Sequence, residues 1–95
     1  ELVINPHSKL TMQRHEHRSE TWNIVHGEAS IKMNHRGGDP FDGCVIYQLH
    51  PNNPVDVPQH TWHQGCNETD KPAHIVEIWK GKTKFLTEDH IERYD

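Results

Sequence analysis

The stretch "QRHEHRSETWNIVHGE", residues 13–28, decides how the chain is expected to fold. It places His15 and His17 one residue apart, and Glu20 follows shortly after them. In a β-strand, residues i and i+2 point to the same side, so both imidazoles are expected to face one point in space. Glu20 has odd spacing from the histidines, and it joins them only if the chain bulges or turns just before it.

Alternation of apolar and polar residues continues through the rest of the chain and predicts β-strands. Glu20, Trp22 and Ile24 share one face, and Gly27-Glu28 is expected to turn the chain into a second strand as a hairpin. Further strands are predicted in "CVIYQLH", "VDV" and "AHIVEIWK", separated by turns rich in Gly, Pro and Asn. This pattern indicates an all-β sandwich or small barrel.

Composition limits the chain to one small domain, residues 1–95, with a hydrophobic fraction of 32%. The net charge of -4 contains no block of like charge, so neither nucleic acid nor an anionic membrane is an expected partner. No apolar run is long enough to span a bilayer. Cys44 and Cys66 are expected to be reduced thiols in a cytoplasmic protein, with a single disulfide as the alternative.

The ten histidines raise the question of a metal site. A second stretch, "PQHTWHQGCN", offers His63 in a turn-rich segment of the kind that connects two barrel strands. Three imidazoles and one carboxylate suit one borderline divalent transition metal ion, such as Zn, Mn, Fe, Co or Ni. The alternative is a set of polar side chains inside a barrel, hydrogen-bonded to one another and to water.

Both stretches resemble the conserved motifs of the cupin superfamily. "HEHRSETWNIVHG" is similar to the first cupin motif, and "PQHTWHQGCN" is similar to the second, with His60 where the family usually has glycine. The resemblance implies a single cupin-type barrel, a double-stranded β-helix or jelly roll. It also implies four metal ligands, which are His15, His17, Glu20 and His63.

In the tail, Thr87 to Arg93 is predicted to form a short helical turn with Thr87 as its N-cap.

Two stretches, "QRHEHRSETWNIVHGEA" and the tail "FLTEDHIERYD", resemble one particular family within this superfamily. Both resemble the C-terminal cupin domain of bacterial type II phosphomannose isomerases, which is often fused to a mannose-1-phosphate guanylyltransferase. The resemblance implies a metal-dependent aldose–ketose isomerase that interconverts mannose 6-phosphate and fructose 6-phosphate. The alternatives are a non-catalytic metal- or sugar-binding module, and an Fe or Mn cupin dioxygenase or lyase.

Several residues near the two motifs are candidates for binding or catalysis. His60 could act as the catalytic proton shuttle or simply fill a turn. Gln13, Arg14, Arg18 and Trp22 are candidates for contacting a sugar phosphate. The alternatives are that Gln13 only forms a hydrogen bond within the barrel wall, that Arg14 and Arg18 are solvated surface charges, and that Trp22 belongs to the core. The N-terminal segment "ELVI" is predicted to be an edge strand that pairs with a second copy, which would make a homodimer.

Overall fold

The computed structural model describes residues 1–81 and 91–94, and within them it contains ten β-strands and no helix. The all-β prediction is therefore confirmed. The strands are β1 Leu2–Ile4, β2 Ser8–Lys9, β3 Met12–His15, β4 Arg18–His26, β5 Ser30–Asn34, β6 Val45–Gln48, β7 Val55–Val57, β8 Trp62–Asn67, β9 Ala73–Gly81 and β10 Ile91–Tyr94.

The predicted helical turn from Thr87 to Arg93 can be compared with the structure only at residues 91–93. Residues 87–90 lie outside the described part of the chain. Residues 91–93 belong to β10, which pairs with β3 in antiparallel register, so the turn does not extend to Arg93. The N-cap signal at Thr87 is local, whereas β10 forms through pairing with a strand near the N-terminus.

The strands form two antiparallel sheets. The first sheet has the order β1-β9-β4-β7, and the second has the order β10-β3-β8-β5-β6, with β2 also paired to β8. Trp22 and Ile24 of the first sheet pack with Ile31 and Met33 of the second in one buried cluster, and each is at most 2% exposed. The core therefore lies between the sheets, and β4 contributes every second residue from Arg18 to Ile24 to the buried side.

The predicted hairpin between β4 and β5 is wrong. β4 pairs with β7 and β9, whereas β5 pairs with β6 and β8, so the two strands lie in different sheets. Gly27 carries the chain from one sheet to the other with a φ of 82°. A Cβ at this position would overlap the carbonyl oxygen of Pro72. The glycine therefore permits a turn between layers, and the local turn signal does not determine which strands pair.

The segment from Trp62 to Asn67 is a strand, β8, and not the turn-rich connection predicted from sequence. It lies in the interior of the second sheet between β3 and β5. Five of its six residues are buried, although most of them are polar. The sequence pattern hides such a strand because burial on both faces removes the alternation of apolar and polar residues.

Both cysteines are free, as predicted, so the disulfide alternative is wrong. Burial raises the pKa of the Cys66 thiol, while the nearby Lys32 and Lys9 act in the opposite direction.

The described part of the chain contains no helix that is long and apolar enough to cross a membrane.

Candidate metal centre

His15, Glu20 and His63 come together in the interior of the fold. Each offers one ligand atom, and these atoms all lie within 4.8 Å of one another. The three residues are 4%, 2% and 3% exposed, respectively, so this is a buried polar cluster. Its members come from β3, β4 and β8, which places both sheets at the site.

Strand periodicity explains how β4 contributes to the cluster. Arg18, Glu20 and Trp22 alternate along the strand, and all three are buried. In the register of the first sheet, Glu20 lies opposite Trp79 of β9 on one side and Val57 of β7 on the other. Because Glu20 belongs to a central strand, its position is determined by pairing on both sides.

The Glu20 carboxylate is hydrogen-bonded at both oxygens. Oε1 accepts a hydrogen bond from Trp22 Nε1 at 2.9 Å, and His63 Nε2 lies 3.7 Å from the same oxygen. Oε2 accepts hydrogen bonds from Arg18 Nε at 2.9 Å and from Arg18 Nη2 at 2.8 Å. His15 Nε2 lies 3.1 Å from Oε2. Such a carboxylate is held in one position, as a metal ligand requires.

These contacts determine the charge state of Glu20. Burial raises its pKa, but the hydrogen bonds from His15 and Trp22 and the nearby histidine charges act more strongly in the opposite direction. The pKa is held well below its ordinary value, so Glu20 is a carboxylate at neutral pH.

His63 is held in a form that can bind a metal. Its Nδ1 lies 3.0 Å from the carbonyl oxygen of Thr61, which can only accept a hydrogen bond, so Nδ1 carries the proton. Burial lowers the pKa of His63, although the Thr61 carbonyl and Glu20 act to raise it. The neutral ring therefore presents the lone pair of Nε2 toward Glu20.

His17 is not brought into the cluster, which corrects the prediction that it faces the same point as His15. β3 ends at His15 and the chain bends through residues 16–17 before β4 begins. The alternation that would align the two rings therefore stops after His15. The His17 side chain is 39% exposed, and its Nε2 lies 3.9 Å from the Glu16 carboxylate.

A cavity of about 160 Å³ opens beside the cluster. Three of the four predicted substrate contacts line it, namely Gln13, Arg18 and Trp22. Arg14 does not line it, because its guanidinium lies 4.9 Å above the Trp62 ring instead. The cavity is smaller than the roughly 300–1,000 Å³ of sites that enclose drug-sized ligands, so it suits a small ligand or one part of a sugar.

His60, the predicted catalytic residue, lies outside the cavity. It is exposed, it has a positive φ of 62°, and its backbone N–H donates to the carbonyl oxygen of His15 at 2.9 Å. The residue therefore stabilises the turn against the end of β3, and its ring is not among the groups that line the site.

Sequence reasoning missed Trp79 and Thr61. Trp79 lines the cavity, and the Arg18 guanidinium lies 3.6 Å from its ring centroid. Alternation along β9 could have identified it, because Trp79 shares the inward face of Ile75 and Glu77. Thr61 acts through its backbone carbonyl, for which the sequence carries no signal.

The three clustered residues fit a divalent transition metal ion. Two imidazoles and one carboxylate are borderline ligands of the kind that Zn, Mn, Fe and Co accept. Thr61 orients the His63 ring, and Trp22 orients the carboxylate. Among the described residues, His15 Nδ1 has no hydrogen-bond partner, and it would carry the ring proton if Nε2 were a metal ligand.

Curated relatives match almost the whole chain. The mannose-1-phosphate guanylyltransferase of Salmonella muenchen is 30% identical over 94 residues, which is 99% of this chain and 18% of that protein. The alginate biosynthesis protein AlgA of Pseudomonas putida is 28% identical over the same length, 99% of this chain and 17% of that protein. The xanthan biosynthesis protein XanB of Xanthomonas campestris is also 28% identical, with 99% and 18% covered. The chain spans less than a fifth of each relative.

Solved structures show the same fold. The capsular polysaccharide assembling protein CapF of Staphylococcus aureus matches with a TM-score of 0.75 and 17% identity, over 96% of this chain and 26% of that one. Recombinant oxalate oxidase in complex with glycolate matches with a TM-score of 0.70 and 15% identity, over 83% of this chain and 39% of that one. At this identity the likeness concerns the fold alone, and the predicted cupin-type fold is confirmed.

The prediction of an aldose–ketose isomerase is wrong. The relatives carry the names of a guanylyltransferase, which is a transferase, and of polysaccharide biosynthesis proteins. The error arose because the motifs specify a cupin and its polar cluster, and one such cluster serves many reactions. The predicted catalytic residue, His60, also lies away from the cavity.

The family model described as "Mannose-6-phosphate isomerase C-terminal" matches residues 1–95. This match covers the whole chain, including both motifs that supply the buried cluster. The chain therefore belongs to the family of mannose-6-phosphate isomerase C-terminal domains, and it has the cupin fold.

Proposed function

We propose that this domain binds a small sugar phosphate at a divalent metal ion held by His15, Glu20 and His63. We further propose that it does so within a protein of the mannose-1-phosphate guanylyltransferase kind, of which it forms one part. The binding role replaces the isomerase prediction and requires no general base in the site.

The observation that carries the proposal is the geometry of the three ligand atoms, which lie within 4.8 Å of one another in a buried site. A buried carboxylate between two imidazoles is costly to desolvate, and cationic partners offset that cost. When bound, a divalent ion would supply a Lewis acid that attracts a ligand oxygen. Trp22 orients the Glu20 carboxylate by donating a hydrogen bond to it, and the Thr61 carbonyl orients the His63 ring.

The cavity beside the cluster supports a sugar as the ligand. Trp22 and Trp79 line it together with the polar side chain of Gln13. Aromatic rings offer apolar faces to a sugar ring, and the amide can hydrogen-bond to hydroxyl groups. Arg18 also lines the cavity, and we expect it to be the cation that contacts a phosphate there. The names of the relatives, which include mannose 1-phosphate and two polysaccharides, support the same class of ligand.

Calorimetry with mannose 1-phosphate tests the proposal. The ligand is titrated into protein loaded with Zn²⁺ and into chelator-treated protein, after elemental analysis of the purified protein. We expect saturable binding to the loaded protein and binding at least about tenfold weaker after chelation, because the metal ion would be a direct ligand contact.

A matched pair of variants makes the experiment specific to this cavity. Gln13→Ala changes a lining residue, whereas Gln59→Ala changes an exposed glutamine outside the lining. We expect the first to weaken binding of mannose 1-phosphate and the second to leave it unchanged. Purified protein that takes up no metal would contradict the proposal, as would equal sugar phosphate binding with and without metal.

A further inference from the structure

Arg18 occupies the side of Glu20 that faces His15. Its Nε and Nη2 donate to Glu20 Oε2 at 2.9 and 2.8 Å, and Nη2 lies 3.4 Å from His15 Nε2. Arg18 is 4% exposed, so this contact is shielded from water. The guanidinium therefore lies beside two of the atoms that a metal ion would bind.

The Glu20 carboxylate already has a cationic partner without a metal ion. Arg18 is a permanent cation, and its Nε and Nη2 lie 2.9 and 2.8 Å from Glu20 Oε2. A divalent ion added beside Arg18 would place two cations next to each other in a region of low dielectric constant, where they repel strongly. The lone pairs of Oε2 are also already engaged by Arg18.

We propose that Arg18 is an intramolecular cation that holds Glu20 in the metal-free protein and must leave Oε2 before a metal ion binds there. The inference rests on the proposed metal site and adds a competitor to it. Arg18 and the metal would then be alternative partners of one carboxylate, and the arginine would set the apparent metal affinity.

The structure offers a place for the displaced guanidinium. Arg18 lies against the Trp79 ring, at 3.6 Å from the ring centroid, and both residues line the 160 Å³ cavity. A cation on an aromatic face keeps a favourable contact when it loses a hydrogen-bond partner. A shift of the guanidinium along Trp79 therefore leaves it in the cavity and does not require the domain to open.

Replacement of Arg18 by methionine tests the competition, because methionine keeps a long side chain against Trp79 and removes the charge. We expect Arg18→Met to bind Co²⁺ about tenfold more tightly than the unchanged protein by calorimetry, within the range of typical coupling between sites. The melting temperature of the metal-free variant should fall, because Glu20 loses its cationic partner. The melting temperature of the Co²⁺-loaded variant should recover most of that loss.

Arg14→Met is the matched control, since Arg14 lies over Trp62 and does not line the cavity. We expect its Co²⁺ affinity to equal that of the unchanged protein. If metal-free Arg18→Met does not fold, the double variant Arg18→Met with Glu20→Gln removes both charges. It should fold without metal and bind Co²⁺ more weakly than Arg18→Met refolded with Co²⁺ present.

The outcomes separate this inference from the proposed function. Tighter Co²⁺ binding by Arg18→Met than by the unchanged protein supports the competition. Equal or weaker binding by Arg18→Met, with Co²⁺ still bound by the unchanged protein, overturns the competition and leaves the metal site standing. Absence of Co²⁺ binding in both proteins overturns the competition and the metal site together.

Discussion

His63 Nε2 lies 3.7 Å from Glu20 Oε1, although the two residues come from different sheets and from distant parts of the sequence. The Nδ1 of the same ring is held by the carbonyl oxygen of Thr61. The His63 ring therefore lies between the backbone just before β8 and a side chain of the first sheet. This relationship makes His63 the residue whose loss should report most directly on the proposed metal site.

We predict that His63→Ala removes the metal-dependent gain in stability. Bound metal should stabilise the unchanged protein by about 2.7 kcal/mol at a hundredfold excess over Kd. The melting temperature of the unchanged protein should therefore rise when Zn²⁺ is added to chelator-treated samples. His63→Ala should show no rise.

His35→Ala is the control for this experiment. His35 is exposed and hydrogen-bonds to the Tyr47 hydroxyl at 2.8 Å. Its replacement should leave the metal-dependent rise intact. A full rise in the His63 variant, together with normal metal content by elemental analysis, would show that His63 is not a ligand.

The stability of the metal-free protein should fall as the pH drops below about 6.5, the ordinary pKa of histidine. The pKa of His63 is lowered by burial in the folded state, so the unfolded chain takes up this proton first and is favoured by acid. One such group contributes at most about 1.4 kcal/mol per pH unit. Urea unfolding at a series of pH values measures the effect.

His63→Gln should weaken the pH dependence below about 6.5, because the titrating ring is gone. A second loss is expected below about 4.3, the ordinary pKa of glutamate. There the unfolded chain protonates Glu20, whose pKa is depressed in the folded state, before the folded chain does. An unchanged slope in His63→Gln would mean that other groups cause the loss near neutral pH.

Gly27→Ala should destabilise the fold more than Gly37→Ala does. Both glycines have a positive φ, 82° and 81°, so alanine is strained at either position by roughly 1–2 kcal/mol. A Cβ at Gly27 also overlaps the Pro72 carbonyl, whereas a Cβ at Gly37 meets open space. Overpacking adds about 1–3 kcal/mol at Gly27. Equal free energies of unfolding for the two variants in urea would show that contact with the Pro72 carbonyl does not restrict residue 27.

The homodimer predicted from sequence stays a prediction, and the first sheet offers a surface for it. β1 is an edge strand, and exposed Val3, Val76 and Ile78 lie on the outward face of β1 and β9. Exposed strand edges and apolar patches favour association with a second copy. We expect a dimer at micromolar concentration in sedimentation experiments and a monomer for Ile78→Asp.

Ile46→Asp provides the comparison, since Ile46 is exposed to a similar extent on β6, an edge strand of the second sheet. It should remain dimeric if the first sheet forms the interface. Dissociation by Ile46→Asp in place of Ile78→Asp would move the interface to β6. A monomeric unchanged protein would remove the homodimer.

The inward face of β4 could be predicted from sequence alone. Glu20, Trp22 and Ile24 alternate with their neighbours, and the structure buries all three. A strand has a side-chain period of two, so alternation determines which residues share a face without any knowledge of the partner strands. The two motifs also contain His15 and His63, which the structure brings together with Glu20, and their role as metal ligands stays a prediction.

Only the tertiary structure decided which neighbours complete the site. His17 lies outside the cluster because β3 ends at His15, and Arg18 enters it because β4 begins there. Trp79 lines the cavity because the register of β4 with β9 places it opposite Glu20. β5 follows β4 in the chain but belongs to the other sheet. Strand ends and pairing depend on contacts between distant segments, which the packing of both sheets determines and local sequence does not encode.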